Sequence, residues 1–524
     1  MSQAVNEYRG SLEQIENKRR ELLARDSRWN LIRTGLFLAA VALLIFGYFL
    51  IKHTAMIALG WLAAGGFLVA VSLHEQLRDS INVLRQRRSV LRRLLARCER
   101  NWDRLPLWEP KIEEIQEAAR SSENEAAGDP VAVADDLDVF GRGSLFQLVS
   151  MASLGPGLRR LASWLIGPAC RQSAMRRHQA ATVLAPMRQW RIDFYCDARR
   201  SASGTADPDH FLRWITSPSW LNRHHALSLW ATISPIVFIG LIVALIVCVA
   251  MPEGTDAAFM WVVGAIAAVC GINLAISTFM LGEVHDIFAS AISGRGDVDG
   301  YQHMFELAST LPDSGDDDLL GHIRNVLSDP TTGASVAMKS LRRIAWAASI
   351  KQSGGWFLVY LLLQMGGLWD LHVLRRLERW QSEHAAQAAL WFDSLGDLEA
   401  VASLAAMIDE NPSWTTPTWS QSGVATAPRT VTALQLGHPL LKEGTRVCND
   451  VTVGPQGTLL LVTGSNMSGK STLLRSLGLN VLLAGAGGPV CAQSFSLPDI
   501  ELATSIRVRD NLDEGVSFYM AELK

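Results

Sequence analysis

The sequence predicts a multidomain chain. Its parts are four transmembrane helices, an all-α soluble core and a C-terminal α/β P-loop domain. Three observations carry this. Four apolar runs of near-spanning length fall into two pairs, residues 34–51 with 55–73 and residues 226–251 with 257–281. Residues 282–408 are mostly helical in pattern. Residues 457–482 read GTLLLVTGSNMSGKSTLLRSLGLNVL, a β-type apolar run, a glycine loop and a leucine-rich helical segment in succession.

A chain of 524 residues exceeds one domain and suits three or four units. A net charge of −3 excludes a nucleic-acid-binding polycation, so local charge matters more. Half the residues are apolar and mean hydropathy is positive, which is high for a soluble protein. The seven cysteines (98, 170, 196, 248, 270, 448 and 491) include no C-x-x-C pair. That argues against a zinc site or a disulfide framework and fits a reducing compartment.

Residues 1–33 are charged and helix-prone, and no cleavable signal peptide is expected ahead of the first apolar run. Residues 34–73 form the first transmembrane hairpin, split by Lys52-His53-Thr54. About 20 apolar residues cross a bilayer, and Ile, Leu, Phe and Ala occupy every face of these runs. Residues 74–136 read as a basic juxtamembrane helix followed by a linker. In its 84–97 segment an apolar stripe lies among arginines, suited to anionic lipid headgroups or to DNA. Residues 120–136 are rich in Ser, Glu, Ala and Asp and carry the linker.

Residues 137–225 open the helical core, and residues 226–281 form the second hairpin. Asn273 within it is expected to face a partner helix. Residues 282–410 continue the core. The apolar stretch 356–371 reads as a buried helix of this soluble part, because it is short and carries Gln364 and Asp370. His372 and His384 have no partners at metal-ligand spacing. Residues 411–430, rich in Pro, Ser and Thr, read as a linker to residues 431–524. Arginines precede the first run (19, 20, 25, 28, 33) and follow the second (85, 87, 88, 92, 93, 97), while the connecting turns carry almost none. This bias puts the N-terminus, the middle region and the C-terminal domain in the cytoplasm, with the chain integral to the inner (cytoplasmic) membrane.

Gly464, Gly469, Lys470 and Ser471 fit G-x-x-x-x-G-K-[ST]. Glycines let the backbone curl so that several N–H groups converge on phosphate, and the following helix adds its positive end. The backbone of Gly464, Ser465, Asn466, Met467, Ser468 and Gly469 would cradle the phosphates of ATP. Lys470 would neutralise the charge that develops there, and Ser471 would ligate Mg²⁺.

The wording GSNMSGKSTLLR resembles the ATPase loop of the MutS family, where Asn-Met precedes Gly-Lys-Ser-Thr. Gly437-His438-Pro439 and Asn449-Asp450 resemble that family's upstream landmarks. Pro489-Val490-Cys491-Ala492 resembles its Val-Pro-Ala strand. Asp510-Asn511-Leu512 and the stretch 515–520 look like its Asp-Leu-x-x-Gly-x-Ser-Thr-Phe signature. A second block is similar to the opening of its helical core: Ser144-Leu145-Phe146, Gly155 to Gly157, Leu161 to Pro168 with Trp164 and Leu165, and Arg177-His178-Gln179-Ala180-Ala181. Residues 395–408 resemble the helix that returns that core to the ATPase. The likeness covers residues 137–224 and 282–524, about two thirds of the chain.

The resemblance implies an all-α MutS-like core and an ABC-like α/β P-loop ATPase domain. It implies contacts of Asn466 with the γ-phosphate and of Thr472 with the α-phosphate. It also implies that Ser517 reaches the nucleotide of an opposite subunit, hence a homodimer through the ATPase domain; the alternative for Ser517 is a helix N-cap before Met520. DNA enters as a partner by family analogy alone. A membrane hairpin stands where the family has its mismatch-reading domain. The acidic Walker B strand does not follow Lys470, so the chain is expected to be truncated, its ATPase domain incomplete and its hydrolysis inefficient. Two other readings are a transporter powered by the same ATPase and a scaffold that keeps ATP as a structural ligand.

Overall fold

The computed structural model describes residues 3–50, 53–120, 129–202, 208–250, 256–291, 295–312, 315, 318–329, 333–352, 356–420, 429–465 and 468–505. Among the described residues, four helices are long and apolar enough to cross a membrane.

Helix α1 (Gln3–Ile45), continued by a π-helical turn at Phe46–Leu50, pairs antiparallel with α2 (Thr54–Cys98). Small residues let the two meet: a Cβ on Gly60 would lie 2.8 Å from Leu44, and one on Gly47 would lie 2.9 Å from Ile57. Both helices continue unbroken past the apolar part. There the pairing passes to charge, with His74 Nε2 2.7 Å from Asp26 Oδ1, Arg88 and Arg92 on Glu16, and Arg9 on Glu99. Residues 3–33 of the expected N-terminal unit are therefore one continuous helix with the first apolar run.

The basic 84–97 segment corrects the sequence reading. Along the helix axis it lies about 16–36 Å beyond the end of the apolar run, at 1.5 Å per residue. Arg93 and Arg97 face neither lipid nor solvent. Arg93 donates to the carbonyls of Ser150, Met151 and Ala152, and Arg97 donates to Val149 O and pairs with Glu410 at 2.6 Å. These arginines dock the stalk onto the core.

The expected linker 120–136 is partly helix. Asp129 caps Pro130–Asp136 by accepting from Val131 N, with Pro130 in the first turn, where its missing N–H is harmless. The core then runs through Leu145–Val149, α3 (Gly155–Ile166), α4 (Arg171–Leu184) and α5 (Arg188–Ala202). Trp164, Leu165 and the residues of Ser144-Leu145-Phe146 are buried packing groups.

Helices α6 (His225–Ala250) and α7 (Asp256–Phe279) form the second apolar pair. Asn273 meets partner helices as expected. It donates to Ser234 Oγ (2.8 Å) and Met365 O (2.7 Å) and accepts from Trp230 Nε1 (2.8 Å). The 356–371 stretch departs from expectation. Its helix, α8 (Phe357–Gly367), is not buried in the soluble part but docks on α6 and α7, with Leu358 72% and Leu362 69% exposed. The physical reason is its polar C-terminal end. Gln364 donates to Ser277 Oγ (2.7 Å), and Gly366 is flat enough to sit against Phe238. At Leu368, in the left-handed conformation, the chain bends by 86° into α9 (Trp369–Glu410).

Helix α9 is the spine of the core, lined by α3 and α4 and by the helices Leu319–Ser328 and Ala334–Ser349. Beyond it lies a four-stranded sheet in the order β1 (Thr418–Trp419), β4 (Ser494–Leu497), β2 (Val431–Leu436), β3 (Asn449–Val453). Only β1 and β4 run parallel. The strand β1 lies inside the expected linker 411–430. The expected β-type run 459–462 belongs to no strand, and Leu459 and Leu461 are 88% and 76% exposed. No strand among the described residues lies beside it to supply ladder hydrogen bonds.

Candidate functional site

The glycine loop ends on α10 (Lys470–Ala486), which it caps through Gly469. Gly469 has φ 90°, a left-handed conformation that a side chain would resist, so this glycine sets the turn that brings the helix N-terminus round. Lys470 folds back over the loop: its Nζ donates to the carbonyls of Gly464 and Ser465, both at 2.7 Å. Those bonds hold the ammonium across the loop mouth, where a phosphate could exchange for the two carbonyls. Ser465, Ser468, Ser471 and Thr472 are exposed around it. Ser471 lies in the first turn of α10, beside N–H groups that have no intrahelical partner. This arrangement suits an anion, and Ser471 supplies a hydroxyl for a cation paired with it. Asn466, Met467, Ser517 and the 510–520 signature lie outside the described residues.

The sequence reading did not single out the residues that hold α10 in place. Asn480 is fully buried. Its amide donates to Gly437 O (3.0 Å) and Ser476 O (2.7 Å), and its Oδ1 accepts from Cys491 N (2.6 Å). One side chain thereby ties α10 to both family-like segments, Gly437-His438-Pro439 and Pro489-Val490-Cys491-Ala492. The signal in the sequence was a single Asn within the apolar stretch LGLNVLL. His438 accepts from Leu440 N, and burial, then the charges of Arg475 and Arg446, push its pKa down to about 4, so it is neutral at pH 7.

The far end of α10 is gripped by α4. Gly487, φ 85°, ends the helix, and a Cβ there would lie 2.6 Å from Arg177. Arg177 donates to Gly485 O (3.2 Å), and the His178 ring lies 3.1 Å from Gly487 O. A cation at a helix C-terminus is favourable, because unpaired carbonyls collect there. Nearer the loop, Arg475 pairs with Asp138 at 2.8 Å. The Arg177-His178 block is thus the contact by which the core holds the loop's helix. Within the described residues no group of three His, Cys, Asp or Glu side chains could hold a metal.

Comparison with known proteins agrees with this end of the chain. Residues 460–524 match the family model for MutS domain V. The chain is 45% identical over 76 residues to the DNA mismatch repair protein MutS of Streptococcus equi subsp. equi, covering 14% of this chain and 9% of that one. It is 33% identical over 134 residues to the MutS of Shouchella clausii, covering 25% and 15%. It is 32% identical over 149 residues to that of Chlorobaculum tepidum, covering 27% and 16%. The chain therefore spans no more than about a sixth of the length of these relatives.

Proposed function

Taking as premise that the chain is MutS-related through its C-terminal segment, we propose that it is a membrane-anchored protein that binds ATP with Mg²⁺ at the 464–472 loop. The observation that carries this is the Lys470 ammonium, held across the mouth of a glycine loop at the N-terminus of α10. Lys470 contacts the outer phosphates, the loop N–H groups take the inner ones, and Ser471 ligates the metal. Asn466 and Ser517 take the roles that the family resemblance gives them, and Ser517 makes the working unit a homodimer. Nucleotide binding shifts α10, and α4 passes that shift to the core through Arg177 and His178.

The two apolar hairpins hold the chain in the bilayer, with α8 seated against the second one on the cytoplasmic side. Its 11 residues reach about 16 Å, too short to cross. The relatives act in DNA mismatch repair by name, and DNA is the first partner to test for this chain.

The experiment is retention of labelled Mg²⁺–ATP by the detergent-solubilised chain, with and without duplex DNA. Retention that Lys470→Ala abolishes supports the site, and retention raised by DNA supports the partner. Equal retention by the Lys470→Ala protein would remove the loop from the proposal. Indifference to DNA at low salt would favour the scaffold reading, in which the nucleotide site is kept and the partner has changed.

A further inference from the structure

Two cavities meet where the stalk of α1 and α2 enters the core, and neither is lined by a residue of the glycine loop. The larger, about 860 Å³, is walled by arginines: Arg85, Arg88 and Arg92 on α2, Arg104 on the following loop, and Arg199 on α5. Arg93 lines both cavities. The acids nearby are few. Glu99 pairs with Arg9, and Glu16 is shared by Arg88 and Arg92. Arg104 and Arg199 have no ion-pair partner among the described residues. So dense a cluster repels itself unless an anion joins it.

The smaller cavity, about 290 Å³, shares Arg93, Pro106 and Arg199 with the first and differs in character. Trp108 and Phe146, with ring centroids 4.5 Å apart, form its wall together with Leu107 and Leu158. Two buried polar atoms at this junction have no hydrogen-bond partner, Arg93 Nε and Ser150 Oγ. Arg93 and Ser150 are 8% and 4% exposed, and an unmatched polar atom at such depth needs a partner.

We propose that the joined cavities are a second ligand site, for a nucleotide carrying two or more phosphates. The phosphates lie among Arg88, Arg92, Arg104 and Arg199. The ring lies against Trp108 and Phe146, within reach of Ser150 Oγ. Guanidinium forks match phosphate oxygens in pairs, and aromatic faces accept a base. Lipid headgroups carry the same phosphate chemistry. Arg85 and Arg92 lie about 18 and 28 Å beyond the apolar run along the α2 axis, deeper in the cytoplasm than a headgroup layer reaches.

The test titrates ADP and, separately, inorganic pyrophosphate into the detergent-solubilised full chain carrying Lys470→Ala, which removes the loop site. A failure of the glycine-loop reading therefore leaves this test intact. We expect ADP to bind, pyrophosphate to bind more weakly, and Arg104→Ala or Arg199→Ala each to weaken ADP about tenfold. Arg104 is exposed and neither residue is ion-paired, so unchanged melting of both variants is expected and shows that folding is kept. No heat with ADP at millimolar concentration would overturn the site. So would an ADP affinity indifferent to both substitutions, or binding confined to phosphatidylglycerol vesicles. Pyrophosphate binding as tightly as ADP would overturn the ring pocket.

Discussion

Glu399 lies fully inside the bundle, where its carboxylate accepts from Ser153 N at 2.9 Å and from Leu154 N. Burial pushes its pKa up to about 8 against the pull of those hydrogen bonds and of Arg93. An unfolded glutamate titrates near 4.3, so between roughly pH 4.3 and 8 the folded chain keeps a proton that the unfolded chain has lost. This group's contribution to stability is fully present below the unfolded value and is lost as pH rises through about 8. Glu399→Gln, which keeps an acceptor and removes the charge, is expected to melt no lower than the parent at about pH 8.5, with the gap narrowing or reversing near pH 5. A uniform loss at both pH values would show that the carboxylate is ionised. Asn480 poses a simpler case. Asn480→Ala strands Cys491 N and Gly437 O in the interior and is expected to destabilise by about 2 kcal/mol or more, read as a lower melting temperature.

At the scale of elements, helices were legible wherever one signal dominated. The four apolar runs were found because no polar stripe interrupts them, and Asn273 was assigned to a helix contact because a polar amide in such a run requires one. The glycine turn at Gly469 that opens α10 was legible from spacing alone. What the sequence could not show was which surface a helix would meet. The 356–371 stretch was placed inside the soluble core because Gln364 and Asp370 interrupt it. In the fold Gln364 accepts from the backbone N of Asp370 at 3.0 Å and donates to Ser277 Oγ, while the Asp370 carboxylate accepts from the Tyr360 hydroxyl at 3.0 Å, so both side chains find partners while the helix docks on α6 and α7. Arg93 and Arg97 were read as surface charge for the same reason: their carbonyl and carboxylate partners lie more than fifty residues away. A photo-crosslinking residue in place of Leu358 or Leu362 is expected to capture lipid in native membranes. Capture of soluble-core peptides instead would return α8 to the core.

Across the whole molecule, α9 joins the parts. It begins beside the second hairpin, where Arg375 donates to Ser228 O at 2.8 Å, and ends at the stalk of the first, where Glu410 meets Arg97 at 2.6 Å. Its 42 residues measure roughly 63 Å at 1.5 Å per residue. Asp409, one residue earlier, takes Arg188 and Arg191 from α5. The Arg97 and Glu410 side chains are 0% and 2% exposed, so Glu410→Ala leaves a buried charge alone and is expected to destabilise the chain by about 3–5 kcal/mol. Both apolar hairpins bear on this helix, and the loop's helix reaches it through α3 and α4, which gives the proposed nucleotide site a physical route to the hairpins. That route matters only if the loop binds nucleotide. The direct measurement is calorimetric titration of Mg²⁺–ATP into the detergent-solubilised chain, beside its Lys470→Ala variant. Saturable binding that the substitution removes, without a change in melting temperature, is the expected result. Absence of binding, or binding that survives Lys470→Ala, would contradict the account.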